Sequence, residues 1–105
     1  MSNVYIVNRA QGAGWAAGIE LTKQDGWKDH AEMMDQMHDD GFVVYAGPLV
    51  TGGDFESLII VRADSEQDVR DAFAEDPWVL SDISKIVRVV QWDVRLGEIP
   101  DEEPD

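Results

Sequence analysis

The chain has no cysteine, so thiol nucleophiles, disulfides and thiolate metal sites are excluded. Histidine is nearly as scarce. His30 and His38 are the whole supply, too few for a histidine-rich metal centre. The third shortage is positive charge: 8 Lys and Arg stand against 22 Asp and Glu, a formal net charge of -14. No cluster of bases offsets this field locally, so phosphate backbones and anionic lipid are repelled, and neither nucleic acid nor membrane is expected as a partner. No apolar run approaches the roughly 18 residues of a spanning helix. The opening MSNVYIVNRA has neither the basic start nor the long apolar core of a signal peptide, and a cytoplasmic location is the expectation. Ser-His-Asp spacing and metal-ligand motifs are missing as well, and the GAG and GG stretches lack the strand-to-helix context of a phosphate cradle. No cofactor and no metal are expected.

What is present is enough for one core. A chain of 105 residues buries roughly 65% of the surface its unfolded form exposes. Residues 1–97 read as a single domain. Residues 98–105 carry Glu98, Asp101, Glu102, Glu103 and Asp105 with two prolines, and read as an acidic, flexible, solvating tail.

Residues 3–9, NVYIVNR, are β-branched and aromatic and predict a first strand. AQGAGWAAGIELTKQDG follows, with four glycines and no clean period. It is long for a loop, which suggests either a lid over something or a plain surface insertion. If it is a lid, Trp15 is expected to be at least partly buried. From Gly26 to Asp40 the period becomes helical: Trp27, His30, Ala31, Met34, Met37 and His38 fall on one stripe. Asp25 is the expected N-cap and Gly41 the C-terminal stop. Residues 42–49 predict a second strand, Thr51–Asp54 a turn, and residues 56–64 a third strand with a continuous apolar centre. Ser65 caps a second helix that the Asp76-Pro77 step ends. A short turn, WVLSDIS, leads to a last strand over residues 85–94.

The order β-α-β-β-α-β is that of the split βαβ, or ferredoxin-like, α+β sandwich: a four-stranded antiparallel sheet with two helices on one face. The other face should be polar in a monomer. Instead the last strand places Ile86, Val90, Trp92 and Val94 in one phase and Val87 and Val89 in the other, and Leu58 to Val61 are apolar in both. An exposed patch of that size is rare on soluble monomers. A homodimer pairing through the open sheet face, a dimeric α+β barrel, is therefore expected.

With the strands running alternately up and down, one end of the fold collects Asn8 and Arg9, Trp27 and His30, Gly47 and Pro48, and Asp76 with Pro77 and Trp78. The long glycine-rich connection emerges at the same end. His30 lies on the apolar stripe and should point inward, either as a hydrogen-bonded core histidine or as a catalytic one. Asp76 is the anion brought to that end, and a carboxylate within hydrogen-bond reach would orient the imidazole and favour its protonated form. His38, in the last turn beside Asp39 and Asp40, reads as structural or solvated.

DHAEMMDQMHDDGFVVYAGPL, SLIIVRADSEQDVRDAFAEDPW and VRVVQWDV resemble the YCII-related proteins, and the likeness runs from Tyr5 to Leu96. The combination of His30, Gly41, Gly47-Pro48, Asp76-Pro77 and Trp92 carries it, and the stretch with QDGWKDH resembles a subgroup with a longer first connection. The resemblance implies a ferredoxin-like dimer and a pocket between helices and sheet, where His30 and Asp76 would be an acid-base pair. The resulting expectation is an enzyme moving protons in an isomerisation, an elimination or a hydrolysis-like step on a small organic molecule, aromatic or lactone. His30 and Asp76 are the catalytic candidates, and Arg9, Trp27, Gly47, Pro48 and Trp78 the substrate-binding ones. The alternative is a non-catalytic dimeric module in which the same pocket only binds a small molecule or serves an accessory role.

Overall fold

A computed structural model describes residues 3–51 and 53–99. Strand β1 spans Asn3–Gln11, helix α1 Trp27–Asp39, β2 Val43–Pro48, β3 Glu56–Ala63, α2 Glu66–Phe73, α3 Pro77–Leu80 and β4 Ser84–Gln91. The strands form one antiparallel sheet in the order β2-β3-β1-β4, the ferredoxin-like α+β arrangement. Strand alternation sends Tyr5, Val7, Ile59, Val61 and Ala63 to one face. There they form the core with Met37 from α1, and Val69 and Phe73 from α2. Both long helices therefore cover the same face.

The helix ends show how local chemistry sets the boundaries. The N-cap of α1 is Gly26, not the expected Asp25, because the chain turns there through φ 75°, a conformation that costs glycine nothing. At the other end Gly41 at φ 85° stops the helix. The Phe42 N–H returns to the Met37 carbonyl at 3.0 Å, as in a Schellman closure. Ser65 caps α2 as expected, its side chain accepting from the Asp68 N–H at 3.1 Å. Asp76 does not terminate α2, which ends at Phe73. It caps α3 instead, a helical turn where a simple turn was expected, with Pro77 at its first position.

The last strand runs over Ser84–Gln91 and stops three residues short of the expected end, although the Trp92 N–H still reaches the Val4 carbonyl at 2.8 Å. Its expected phase also changes. The register with β1 slips between Asn8 and Arg9, so that Arg9 faces Ile86 while Asn8 faces Arg88. Val87 is the extra residue of this bulge. Ile86 and Val89 consequently both reach the core, Val90 lies opposite Ile6 on the free face, and Val87 is 61% exposed. The free face still carries Ile6, Leu58, Ile60, Tyr45 and Val90. Ile60 is buried between its cross-strand partners Ile6 and Tyr45, whereas Tyr45 is 55% exposed.

Of the acidic tail, Glu98 and Ile99 are described. The Ile99 carbonyl accepts from Arg62 Nη2 at 3.1 Å, and residues 100–105 lie outside the described residues. Among the described residues no helix is long and apolar enough to cross a membrane.

The connection from β1 to α1 is folded onto the turn between α3 and β4. The amides of Gly12 and Gly14 donate to the carbonyls of Ile83 and Asp82 at 2.9 and 2.8 Å. A Cβ added at Gly12 would sit 2.2 Å from the Asp82 carbonyl oxygen. Gly12→Ala is expected to destabilise the fold by about 1–3 kcal/mol, read by chemical denaturation. Gly53→Ala, where the nearest atom is 3.9 Å away, is expected to stay within about 0.5 kcal/mol of the parent.

Candidate active site

The site is built on one carboxylate. Asp76 precedes proline, which holds it extended at ψ 126°, and its side chain turns back to cap α3. Oδ1 accepts from the Trp78 N–H at 2.8 Å. Nδ1 of His30, in the first turn of α1, lies 2.9 Å from both oxygens. Nη2 of Arg9, on the core face of β1, lies 2.9 Å from Oδ2 and also donates to Ser84 Oγ. Three elements thus meet on a side chain that is 0% exposed.

Burial pushes the Asp76 carboxyl up, but the hydrogen bond from His30, the charge of Arg9 and the Trp78 N–H outweigh it. The pKa ends below the ordinary value. Burial lowers that of Arg9, and the charge and hydrogen bond of Asp76 offset only part of the fall. A guanidinium stays charged under these conditions, so Arg9 and Asp76 form a buried, mutually neutralising pair.

The imidazole is held in plane as well as at its edge. Its ring stacks on Trp78 at 4.0 Å and 2°, and the Trp78 indole N–H donates to the Asp25 carbonyl at 2.8 Å, tying α3 to the approach of α1. A carboxylate only accepts, so Nδ1 carries a proton, and Nε2 lies on the opposite edge of the ring. Nε2 has no hydrogen-bond partner among the described residues. His30 is 8% exposed, and that exposure faces a cavity.

The cavity has a volume of about 210 Å³. Arg9, Trp27, His30, Gly47, Pro48 and Trp78 all line it, and Asp76 stands behind His30 rather than in the wall. His38 is exposed at the far end of α1. Leu21, Met34, Ala46, Phe55, Ser57 and Ile59 complete the lining. None of these had a distinguishing mark in the sequence, although Ser57, Ile59 and Ala46 follow from Arg9 once strand register is known. The Arg9–Asp76 pair had a usable signal: Arg9 shares the phase of Tyr5 and Val7, and a base on a core face requires a buried anion. Trp15, half-buried, stacks on Phe55 at 4.5 Å and meets Trp78 edge-on at 5.9 Å, so the long connection does lie over this end. Among the described residues no cluster of three or more His, Asp or Glu could hold a metal ion.

The fold and this buried histidine–carboxylate pair define a ferredoxin-like α+β protein with a small cavity beside the pair. A family model, the YCII-related domain, matches residues 8–93, and the chain belongs to that family. Its fold is similar to that of 5-chloro-2-hydroxyhydroquinone dehydrochlorinase from Burkholderia phenoliruptrix, solved in complex with 2,5-dihydroxybenzoquinone. That likeness has a TM-score of 0.62 at 15% identity, and covers 90% of this chain and 95% of that one. A search of curated proteins gives no match.

The Asp76 pKa fixes the sign of an acid response. A carboxyl that titrates lower in the folded than in the unfolded state stabilises the fold above its unfolded pKa, and the contribution is lost as pH falls through the folded value. Unfolding free energy is expected to drop below about pH 4, with part of that slope missing in Asp76→Asn. At neutral pH the same variant leaves Arg9 without its counter-charge, costing about 3–5 kcal/mol, and adding Arg9→Met should restore part of the loss. Denaturant titrations between neutral and acid pH read both effects, and an unchanged acid slope in Asp76→Asn contradicts a depressed pKa.

Proposed function

We propose that this protein is an acid-base enzyme that moves a proton on a small organic molecule in an isomerisation, an elimination or a hydrolysis-like step. The observation that carries the reading is the His30 ring: Nδ1 bound to the buried Asp76 carboxylate at 2.9 Å, and the opposite edge turned to a cavity. In this reading Nε2 takes a proton from the substrate and returns it to another position or to a leaving group. Asp76 fixes the tautomer and balances the imidazolium that forms. Arg9 holds Asp76 in its ionised state, and its guanidinium in the cavity wall stabilises negative charge developing on a substrate oxygen. Trp27, Trp78 and Phe55 supply flat apolar walls suited to a ring. The similar dehydrochlorinase, solved with a benzoquinone, supports an aromatic or otherwise cyclic substrate.

A non-catalytic binding module draws on one feature of the same site. Arg9 and Asp76 neutralise each other, so this buried pair is charge-balanced without any ligand. Proton exchange separates the two readings without knowledge of the product. A panel of hydroxylated rings, lactones and enolisable cyclic ketones is incubated with the protein in D₂O, and deuterium uptake is followed by NMR. At least one compound is expected to exchange faster with the protein present, and His30→Gln should slow that exchange by about 10²–10⁴-fold. Binding without accelerated exchange across the panel supports the binding module instead.

The assembly we propose is a homodimer through the free sheet face. Tyr45 and Val87 stand exposed there beside Ile6, Leu58 and Val90, and shielding them from water is the driving force. Sedimentation is expected to give twice the chain mass at micromolar concentration, with Tyr45→Glu shifting the boundary to the monomer. A monomeric parent chain overturns the assembly.

A further inference from the structure

Most of the cavity wall is built from paired strands and anchored helices. Ile59 and Ala46 belong to paired strands, Met34 to the middle of α1, and Trp78 is pinned through its indole N–H. One part of the wall is different in origin. Leu21 comes from a single 3₁₀ turn, Leu21–Lys23, inside the connection between β1 and α1.

This connection is closed on itself by Gln24, which is only 3% exposed. Its amide oxygen accepts from the Ala16 N–H at 2.8 Å, and its amide nitrogen donates to the carbonyls of Ala16 and Ile19 at 2.9 and 2.8 Å. With Trp15 stacked on Phe55, Leu21 is presented to the cavity as a fixed surface rather than on a loose flap.

Size then decides what fits. A dry apolar cavity of roughly 150 Å³ takes benzene, and pockets for drug-sized ligands start near 300 Å³. At about 210 Å³ the partly open space holds one ring with a few substituents, and a second fused ring directed toward Leu21 has to displace that side of the wall. The polar groups on the wall, His30, Arg9 and Ser57, give a ring hydroxyl its partners, while the ring faces of Trp27 and Phe55 offer apolar surface.

We infer that the ligand is a single hydroxylated ring and that Leu21, braced by Gln24, is the specificity-determining residue that excludes fused two-ring molecules. This rests on the small-molecule site proposed above, but not on proton transfer, which the deuterium exchange experiment decides separately.

The test uses the full chain and two probes that differ by one ring, catechol and 2,3-dihydroxynaphthalene, titrated by calorimetry. The larger diol is the more apolar and would bind better to an unselective surface. The parent chain is expected to prefer catechol by about tenfold or more, and Leu21→Ala to reduce that preference by about tenfold, the scale of one or a few carbons in an apolar pocket. Gln24→Ala should move the ratio in the same direction by releasing the turn. Leu21→Val, a milder truncation, gives a smaller shift and keeps the ratio measurable if Leu21→Ala does not fold. The inference is overturned if the parent binds neither probe, if it binds both equally, or if truncating Leu21 leaves the ratio unmoved.

Discussion

The Asp76 carboxylate is the constraint on which the rest of this structure depends. An ionised carboxyl taken fully out of water is tolerable only when charged and hydrogen-bonding partners replace its hydration. Here they come from β1 through Arg9, from α1 through His30, and from the backbone of α3 through Trp78. The arrangement is mutual: Arg9, equally buried on the core face, has Asp76 as its only anion among the described residues. Removing either charge strands the other, so the pair locks the end of the sheet to the starts of two helices. A site assembled in this way is fixed before any ligand arrives, which is what proton transfer over hydrogen-bond distances requires.

The second organising element is aromatic. Trp78 follows the proline that sets Asp76, so the same local turn that aims the carboxylate also lays an indole against the His30 ring. The carboxylate restrains the imidazole at Nδ1 and the stack restrains its plane, leaving one edge free. The indole N–H then reaches the residue before Gly26, and the positive φ of Gly26 starts α1 in the direction that brings His30 inward. His30 is thus placed by backbone chemistry at two helix N-termini, not by its own helix alone.

Much of this was legible in the sequence, and the reasons differ by element. The fold order followed from periodicity and from strong punctuation at Gly41, Ser65 and Asp76-Pro77. The juxtaposition of Arg9, His30, Gly47, Asp76 and Trp78 followed from topology, because antiparallel elements bring predictable ends together. The misplacements were local. Asp25 looked like a cap because its side chain suits one, yet the backbone needed a positive φ one residue later. The phase of β4 departs from its sequence pattern because the bulge at Val87 depends on how β1 and β4 register across the sheet, which no window of the strand itself encodes. Leu21 and Phe55 were invisible as site residues because both sit in irregular segments whose path is set by Gln24 and Trp15, through contacts with no period.

The charge of the whole chain bears on what kind of molecule can use this cavity. A net charge of -14 opposes the approach of anions within the screening length of roughly 8 Å at physiological salt. Inside, the Arg9 guanidinium is already paired with the Asp76 carboxylate, so it offers little unpaired positive charge to compensate. On the acid-base reading, a neutral molecule enters most readily and becomes charged only after its proton passes to His30 Nε2. The site then holds an imidazolium and an anion side by side, with Asp76 against the first and the Arg9 guanidinium near the second. Charge separation occurs where fixed partners are already in place, so less reorganisation is needed than in solution. The acidic surface and the neutral buried pair are thus compatible parts of one design: the outside disfavours ligands that arrive charged, and the inside stabilises charge that develops within.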